Sequence, residues 1–474
     1  MNQQEYNRRR ISLWDSVALR WKNHRGLGGF YHRRLRRIYR SLISPGQKAL
    51  ELGCGQGDLL ASLEPSAGVG IDFSPEMIRQ AASRHPECRF ICSDAAEIPL
   101  KEKFDVIILS DLINDLWDVQ KVLGNLKALS MPRTRIIINH YSRLWEIPLR
   151  ITQALGLSRP FMAQNWLTKS DVDNMLALED FEPFRHSVEI LCPIYIPFLS
   201  SLANRFLARI WLIRQLAITR FTVARPKQGV DYTAPAPSVS VIVPARNEEG
   251  NIRAIFERTP EMGTGTELVF VEGHSKDRTY EAIQKEIAGH PERTCILLKQ
   301  KGQGKSDAVR SGFDRASGDL LMILDADLSA PPEDLVRFYD ALSTGKGELI
   351  NGVRLVYPRE KRSMQFLNAV GNKLFGLAFS WLLGQPIKDT LCGTKALSRR
   401  DYLKIAANRS YFGDFDPFGD FDLLFGAAKQ NFKIVDVPIR YQERVYGRTN
   451  IRRWKHGWLL IKMLFIAARR IKFI

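Results

Sequence analysis

Cysteine is scarce in this chain. Its six cysteines (Cys54, Cys88, Cys92, Cys192, Cys295 and Cys392) are scattered over 474 residues, with neither zinc-site spacing nor the density of a disulfide framework. That excludes a small stapled scaffold and points to a reduced, cytosolic setting. Cys88 and Cys92 flank the strand-like run Arg89-Phe90-Ile91 and are read as packing. No window reaches the ~18 uninterrupted apolar residues of a spanning helix. The nearest, Cys192 to Ile218, is cut by Arg205, Arg209 and Arg214. Arg8-Arg9-Arg10 lie close to Met1 with no apolar stretch behind them, so no signal peptide is expected. Low-complexity blocks are missing too, and 45% hydrophobic with 25% charged residues is ordinary for a globular chain, which excludes fibrous and disordered classes.

What is present is length and an uneven charge. The chain is about three times a common domain, so two or three domains are expected. Its net charge of +18 sits at the ends: residues 1–40 hold 11 Lys/Arg against Glu5 and Asp15, and residues 440–474 hold 10 against Glu443. Residues 41–439 are balanced. Basic ends interleaved with Trp14, Trp21, Tyr31, Trp454 and Trp458 suit an anionic surface, membrane or nucleic acid. From Ile451 to Ile474, Trp454, Trp458, Ile461, Leu464, Phe465, Ala468 and Ile471 recur at helical spacing opposite Arg452, Lys455, Lys462 and Arg469. The segment reads either as a helix lying in a membrane interface or as one docked on the protein's own core.

The run Arg225-Pro226-Lys227-Gln228-Gly229, then Thr233-Ala234-Pro235-Ala236-Pro237, separates two α/β patterns. Before it, strands are expected at 48–52, 67–71, 89–92, 106–110 and 135–139. After it, they are expected at 239–243, 267–271, 295–298 and 320–324, with helices between. The expected organisation is therefore a first α/β domain over 1–227, a linker over 228–237, a second α/β domain over 238–450 and an amphipathic helix over 451–474, both domains doubly wound.

Ala49-Leu50-Glu51-Leu52-Gly53-Cys54-Gly55-Gln56-Gly57-Asp58 places three alternate glycines where the first strand turns into a helix, and Gly70-Ile71-Asp72 ends the next strand with an acid. Glycines there let a ligand approach the backbone, and a carboxylate about twenty residues on can take ribose hydroxyls. The spacing is G-x-G-x-G, not the G-x-G-x-x-G of a dinucleotide site. With Asp72-Phe73-Ser74-Pro75-Glu76-Met77, Ser93-Asp94-Ala95 and Phe104-Asp105-Val106-Ile107-Ile108, the segment resembles the class I S-adenosylmethionine-dependent methyltransferases. The resemblance implies a Rossmann-like fold in which Gly53, Gly55 and Gly57 line the methionine part of S-adenosylmethionine, Asp72 holds the ribose and Asp94 reaches the adenine, with Glu51 in the same site. Asp111, Asn114, Asp115, His140 and Tyr141 follow the fourth and fifth strands, where ligands sit, and are expected to be solvated loop residues rather than bases. Ser110-Asp111-Leu112-Ile113-Asn114 lacks the Asn-Pro-Pro-Tyr pattern, which argues against a nucleic-acid base methylase.

In the second half, the apolar strand Leu320-Leu321-Met322-Ile323-Leu324 ends in Asp325-Ala326-Asp327. Two carboxylates at this spacing can hold a divalent ion that neutralises a leaving diphosphate. With Val239-Ser240-Val241-Ile242-Val243-Pro244-Ala245-Arg246-Asn247-Glu248-Glu249, Glu272-Gly273-His274-Ser275-Lys276-Asp277 and Gly304-Lys305-Ser306-Asp307, residues 238–450 resemble the family 2 glycosyltransferases of the nucleotide-diphospho-sugar transferase (GT-A) fold. The resemblance implies that Pro244, Ala245, Glu248 and Glu272 surround the nucleotide, Asp277 and Lys305 support that pocket, and Asp325 and Asp327 carry Mg or Mn. Glu272 is followed by Gly273-His274 where the family has a second acid.

Asn351-Gly352-Val353-Arg354, Asp389-Thr390-Leu391-Cys392-Gly393-Thr394 and Arg444-Val445-Tyr446-Gly447-Arg448-Thr449-Asn450 look like the polyprenyl-phosphate branch, which includes the dolichyl-phosphate mannose synthases. Thr449 and Asn450 replace that branch's serine and lysine. Arg354, Arg362 and Arg444, with Asp389 beside them, are candidate acceptor ligands, guanidinium being suited to phosphate. Asp420 and Asp422 sit where the family has its late acid. A hydroxyl acceptor would need Asp422 as base, whereas a phosphate acceptor would not.

The whole reads as a bifunctional enzyme, with metal-dependent inverting sugar transfer from a nucleotide-sugar to a glycan or polyprenyl phosphate and methyl transfer from S-adenosylmethionine. It is expected at the cytoplasmic face of a membrane, bound peripherally. The competing readings are a first domain that binds without catalysis, and an RNA-modifying enzyme, for which only the charge speaks.

Overall fold

The computed structural model describes residues 3–20, 28–154, 164–210, 212–228, 235–354, 366–409, 420–442, 444, 446 and 461–473. Two compact units divide the chain: residues 1–227 with 472–474, and residues 228–471.

The first unit opens with α1 (Gln3–Arg20) and α2 (Gly28–Leu42), followed by β1 (Lys48–Leu52), α3 (Asp58–Ser62), β2 (Ala67–Asp72), α4 (Pro75–Arg84), β3 (Arg89–Cys92), β4 (Phe104–Ser110), α5 (Val119–Leu129) and β5 (Ser130–Tyr141). After these come α6 (Glu146–Ala154), α7 (Lys169–Leu178), β6 (Phe181–Glu189), α8 (Leu199–Arg205) and β7 (Thr219–Pro226). Its sheet has seven strands in the order β3-β2-β1-β4-β5-β7-β6. The first five run parallel, while β7 is antiparallel to both β5 and β6. Buried on both faces, the inner strands β1 and β4 and the second half of β5 are mainly apolar, while β3 lies partly exposed at the sheet edge. Ile107 and Leu109 of β4 pack with Leu123 and Leu126 of α5, and Val106 and Ile108 pack on the other side with Leu35 and Tyr39 of α2.

Three expectations change here. β6 and β7 add an antiparallel pair to a sheet read as parallel. Arg225-Pro226, the start of the run read as separating the two patterns, is the end of β7, where a proline's missing N–H costs no interior ladder bond. The basic N-terminal stretch is two helices folded onto the sheet: Tyr31, Leu35, Ile38, Tyr39 and Leu42 form a buried stripe on α2, and Arg10 is buried against Asp115 at 2.7 Å.

The second unit builds its sheet from β8 (Val239–Ala245), β9 (Thr266–Glu272), β10 (Thr294–Lys299), β11 (Leu320–Ile323), β12 (Leu349–Val353), β13 (Lys395–Ser398) and β14 (Ile434–Pro438), in the order β10-β9-β8-β11-β13-β12-β14. β13 is antiparallel to β11 and β12, and the other pairs are parallel. Both units are thus α/β with mixed seven-stranded sheets. In each sheet the first strand of the unit lies between the second and a later one, so chain order reverses beside β1 and beside β8. The crevice at the carboxyl ends of such strands is where open α/β sheets bind ligands, and both predicted motifs lie there. Of the expected C-terminal helix, residues 461–473 are described, with Ile461 and Phe465 exposed and Met463, Ala467 and Ala468 buried; Trp454 and Trp458 lie outside the described residues.

Candidate active sites

At the carboxyl end of β1, Gly53, Gly55 and Gly57 all have φ between 52° and 77°. Gly55 decides the character of the turn, because a Cβ built there meets nothing within 4 Å, and its N–H donates to Asp72 Oδ2 at 2.9 Å. Asp72 also accepts the Ser74 N–H at 2.9 Å, so it fastens the glycine turn to the start of α4, where Ser74 caps the helix and Pro75 opens it. Burial raises the Asp72 carboxyl above its ordinary value, against the pull of those two N–H groups. Glu51 faces inward: almost wholly buried, it accepts the Leu60 N–H at 3.1 Å, and burial raises its carboxyl well above the usual range. It props the turn from behind, through the start of α3.

α1 runs over the ends of these strands. Asn7 donates to Asp94 Oδ2 at 2.8 Å, Asp15 accepts from the Ser74 hydroxyl, and Tyr6 donates to the Asp115 carbonyl at 3.1 Å. The residues after β4 and β5 are not the solvated loop expected. Asp111, held in the left-handed region at φ 53°, accepts from the Tyr31 hydroxyl at 2.9 Å and from Asn139, whose own carbonyl accepts from Tyr39 at 2.6 Å. Burial pushes the Asp111 carboxyl up to about 7, against the hydrogen bonds of Tyr31 and Asn139. Asn114 is buried and accepts the Tyr141 N–H at 3.0 Å. His140 is fully buried with neither ring nitrogen partnered, and burial lowers it to about 4, so it stays neutral. In the sequence Tyr31 reads only as an aromatic of the basic end and Asn139 is not a site candidate, and 80 residues separate Tyr31 from Asp111.

In the second unit the carboxyl ends of β8 and β11 assemble a charged cluster. Lys305, first residue of the helix Lys305–Arg315, pairs with Asp325 at 2.5 Å. Arg444 bridges Asp327 at 2.6 Å and Glu248 at 3.2 Å. Burial raises the Glu248 carboxyl to about 7, while the Arg444 guanidinium opposes the rise. Ser329 and Arg444 hold Asp327 below its ordinary value against burial. Pro244 and Ala245 end β8 as expected, whereas Glu272 and Asp277 are taken up locally. Glu272 accepts the Ser275 N–H at 2.6 Å, and Asp277 accepts Thr279 N–H at 3.1 Å and Glu249 N–H at 3.3 Å. Tyr446 covers the same turn, since a Cβ at Gly250 would strike its ring.

Arg354 and Asp389, predicted to meet an acceptor, meet each other in a two-pronged pair at 2.7 and 2.9 Å, with Asp389 fully buried. That pair anchors the loop carrying Gly393, where a side chain would run into both Asp325 and Lys305. Asp422 pairs through Oδ2 with Arg409 at 2.9 Å and Arg310 at 3.3 Å, which holds the carboxylate in place. Asp420 begins the helix Asp420–Lys429. Arg362, Thr449 and Asn450 lie outside the described residues.

Residues 240–405 match glycosyl transferase family 2, and residues 43–179 match a methyltransferase domain. The chain joins a methyltransferase domain to a family 2 glycosyltransferase domain. The glycosyltransferase half is 29% identical over 248 residues to dolichol-phosphate mannosyltransferase of Pyrococcus furiosus, covering 50% of this chain and 67% of that one. It is 26% identical over 232 residues to undecaprenyl-phosphate 4-deoxy-4-formamido-L-arabinose transferase of Edwardsiella ictaluri, covering 48% and 66%. Across other curated relatives the chain spans from 49% to 74% of their length. Magnesium protoporphyrin IX methyltransferase from Synechocystis, solved with SAH, aligns at 16% identity and a TM-score of 0.35, covering 47% of this chain and 100% of that one. In the glycosyltransferase domain, Gly393→Ala is expected to cut sugar transfer about tenfold or more, because the added methyl must displace Asp325 or Lys305. Initial rates beside a thermal melt would show the loss exceeding any loss of fold.

Proposed function

We propose that the chain is a bifunctional enzyme. Its second domain transfers a sugar, with inversion, from a nucleotide-sugar to a polyprenyl phosphate or a glycan, and its first transfers methyl from S-adenosylmethionine, both at the cytoplasmic face of a membrane to which the protein binds peripherally. The observation carrying the sugar-transfer reading is the pairing of Asp325 with Lys305 and of Asp327 with Arg444 at the switch point of the second sheet. Polyprenyl-phosphate names among the relatives favour a phosphate acceptor, which, being already an anion, needs no base.

The donor set fits a divalent ion. Two carboxylates, with no cluster of three Asp, Glu, His or Cys among the described residues, suit Mg or Mn completed by water and phosphate oxygens rather than a closed protein cage. Such an ion, on Asp325 and Asp327, would supply charge neutralisation for the departing diphosphate. The chain's own contribution is Lys305 and Arg444, two fixed cations beside the same oxygens, with Glu248 orienting Arg444 from the nucleotide turn. The first domain fits S-adenosylmethionine through the open space over Gly55, the carboxylate of Asp72 beside it and Asp94 two strands away. Asp111 supplies the base whose lack would have favoured a purely binding first domain.

Calorimetry of the whole protein against UDP, GDP and CMP, with and without manganese, tests the reading. Metal-dependent binding of one nucleotide is expected. Binding of none, or binding indifferent to metal, would refute the role given to Asp325 and Asp327.

A further inference from the structure

The segment between β6 and β7 is the near-span noted in the sequence; it buries Ala203, Ala208, Ala217 and Ile218 but leaves many of its larger apolar residues exposed. Phe198 is 93% exposed and Leu212 69%, and Tyr195, Leu202, Phe206 and Ile210 also face outward. Phe198 sits at φ 58°, a conformation an aromatic residue adopts only when its surroundings impose it. Trp145 Nε1 donates to the Leu216 carbonyl at 2.7 Å, which ties the start of α6 to the end of this segment. Leu144, Ile147 and Ile151 there, at helical spacing on one stripe, are exposed as well. Monomeric soluble proteins seldom leave a contiguous apolar surface of this extent uncovered.

The layer behind it is cationic. Glu189 is buried and pairs with Arg209 at 2.7 Å, and Arg34 and Arg185, both buried, act on the same carboxylate. Burial lowers both of these arginines to about 10, and Glu189 opposes the shift. One acid therefore faces three guanidiniums. Arg34 Nε and Arg209 Nε are buried without a hydrogen-bond partner among the described residues, and Lys472 adds a further cation beside Glu189. Arg205 is exposed and Arg214 half-buried at its edge. An apolar surface rimmed and backed by arginine complements a surface that is apolar inside and anionic outside.

We propose that this face of the first unit docks on an anionic phospholipid leaflet, with Phe198, Leu202, Phe206 and Leu212 entering the headgroup–acyl boundary and Arg205 and Arg214 meeting lipid phosphates. It rests on the membrane part of the function proposed above, and it moves the contact from the basic chain ends to a folded insertion. The arginines that rule out a spanning helix are what the docking uses.

Co-sedimentation of the whole protein with phosphatidylcholine vesicles, with and without phosphatidylglycerol, at physiological salt tests it. Wild type should pellet with the anionic vesicles. Phe198→Ser with Leu212→Ser should weaken that binding about tenfold or more, and Arg205→Gln with Arg214→Gln should erase the preference for phosphatidylglycerol. These side chains are at the surface or its edge, and unchanged circular dichroism and nucleotide binding would show that the fold survives. Wild type failing to pellet would overturn both this surface and the membrane reading. If wild type pellets and the Ser variant pellets equally well, only this surface is overturned, and a lower molecular mass for that variant would assign the patch to a second copy.

Discussion

Asp325→Asn should lower the rate of sugar transfer about a thousandfold, equivalent to roughly 4 kcal/mol of transition-state stabilisation. The carboxylate is half-exposed at the end of β11, so the fold does not depend on it, yet it is the anionic partner of Lys305 at 2.5 Å and half of the oxygen pair offered to a divalent ion. The amide keeps the shape and removes the charge. Lys305 then faces a neutral group, and the affinity of the strand end for a hard cation falls. Nucleotide affinity measured in manganese should fall with the rate, while affinity measured without metal should change little. That split separates lost metal binding from a damaged pocket. A variant retaining a tenth or more of wild-type turnover would show that the strand end has no part in the chemistry.

Asp111→Asn should lower methyl transfer by about a hundredfold or more, the usual scale for removing a general base. Its carboxyl titrates at about 7 because it is buried at the end of β4. The wild-type rate should therefore climb as pH rises through about 7 and level off above, since only the ionised carboxylate accepts a proton. Tyr31→Phe removes a hydrogen bond that favours the charged form, so the climbing limb should move to higher pH. A structural tyrosine would not shift it. Stability runs the opposite way to the rate. The folded carboxyl holds its proton above the ordinary value of 3.8, so its contribution is full below about 4 and lost as pH passes about 7. Denaturant midpoints measured across that range should fall for wild type and stay flatter for Asp111→Asn. A pH–rate profile of unchanged shape in the variant would exclude Asp111 as the base.

The parts of the fold legible in the sequence are those whose physics is local. β1, β2, β4, β8, β9 and β11 are largely buried strands written as mainly apolar runs, and the edge strands β3 and β10 keep short apolar cores. The glycine turn and Asp325-Ala326-Asp327 are short spacings that carry their chemistry with them. β6 was illegible because Phe181-Glu182-Pro183-Phe184-Arg185-His186 lacks a clean two-residue alternation and carries a proline inside the run, and its pairing with β7 is set by contacts distant in the chain. Arg354 shows the other limit. A guanidinium that meets a ligand phosphate and one that meets Asp389 are the same letter in the chain, and only the fold decides between them. Tyr31, Asp111 and Asn139 come from two strand ends and a helix read as a basic arm, so nothing in their spacing joins them. Glu51 belongs to a motif by position, yet its side chain points into the core.

The 18-residue helix α1 holds Asp94 through Asn7 and the start of α4 through Asp15, so it spans the mouth of the methyl-donor cleft. A molecule seated beneath it would be released more readily when those bonds open. Its residence time would then be governed by the helix's opening frequency rather than by the strength of its own contacts. Exchange of spent for fresh donor becomes a gating event, and the turnover of the first domain would respond to whatever steadies or loosens the first twenty residues of the chain.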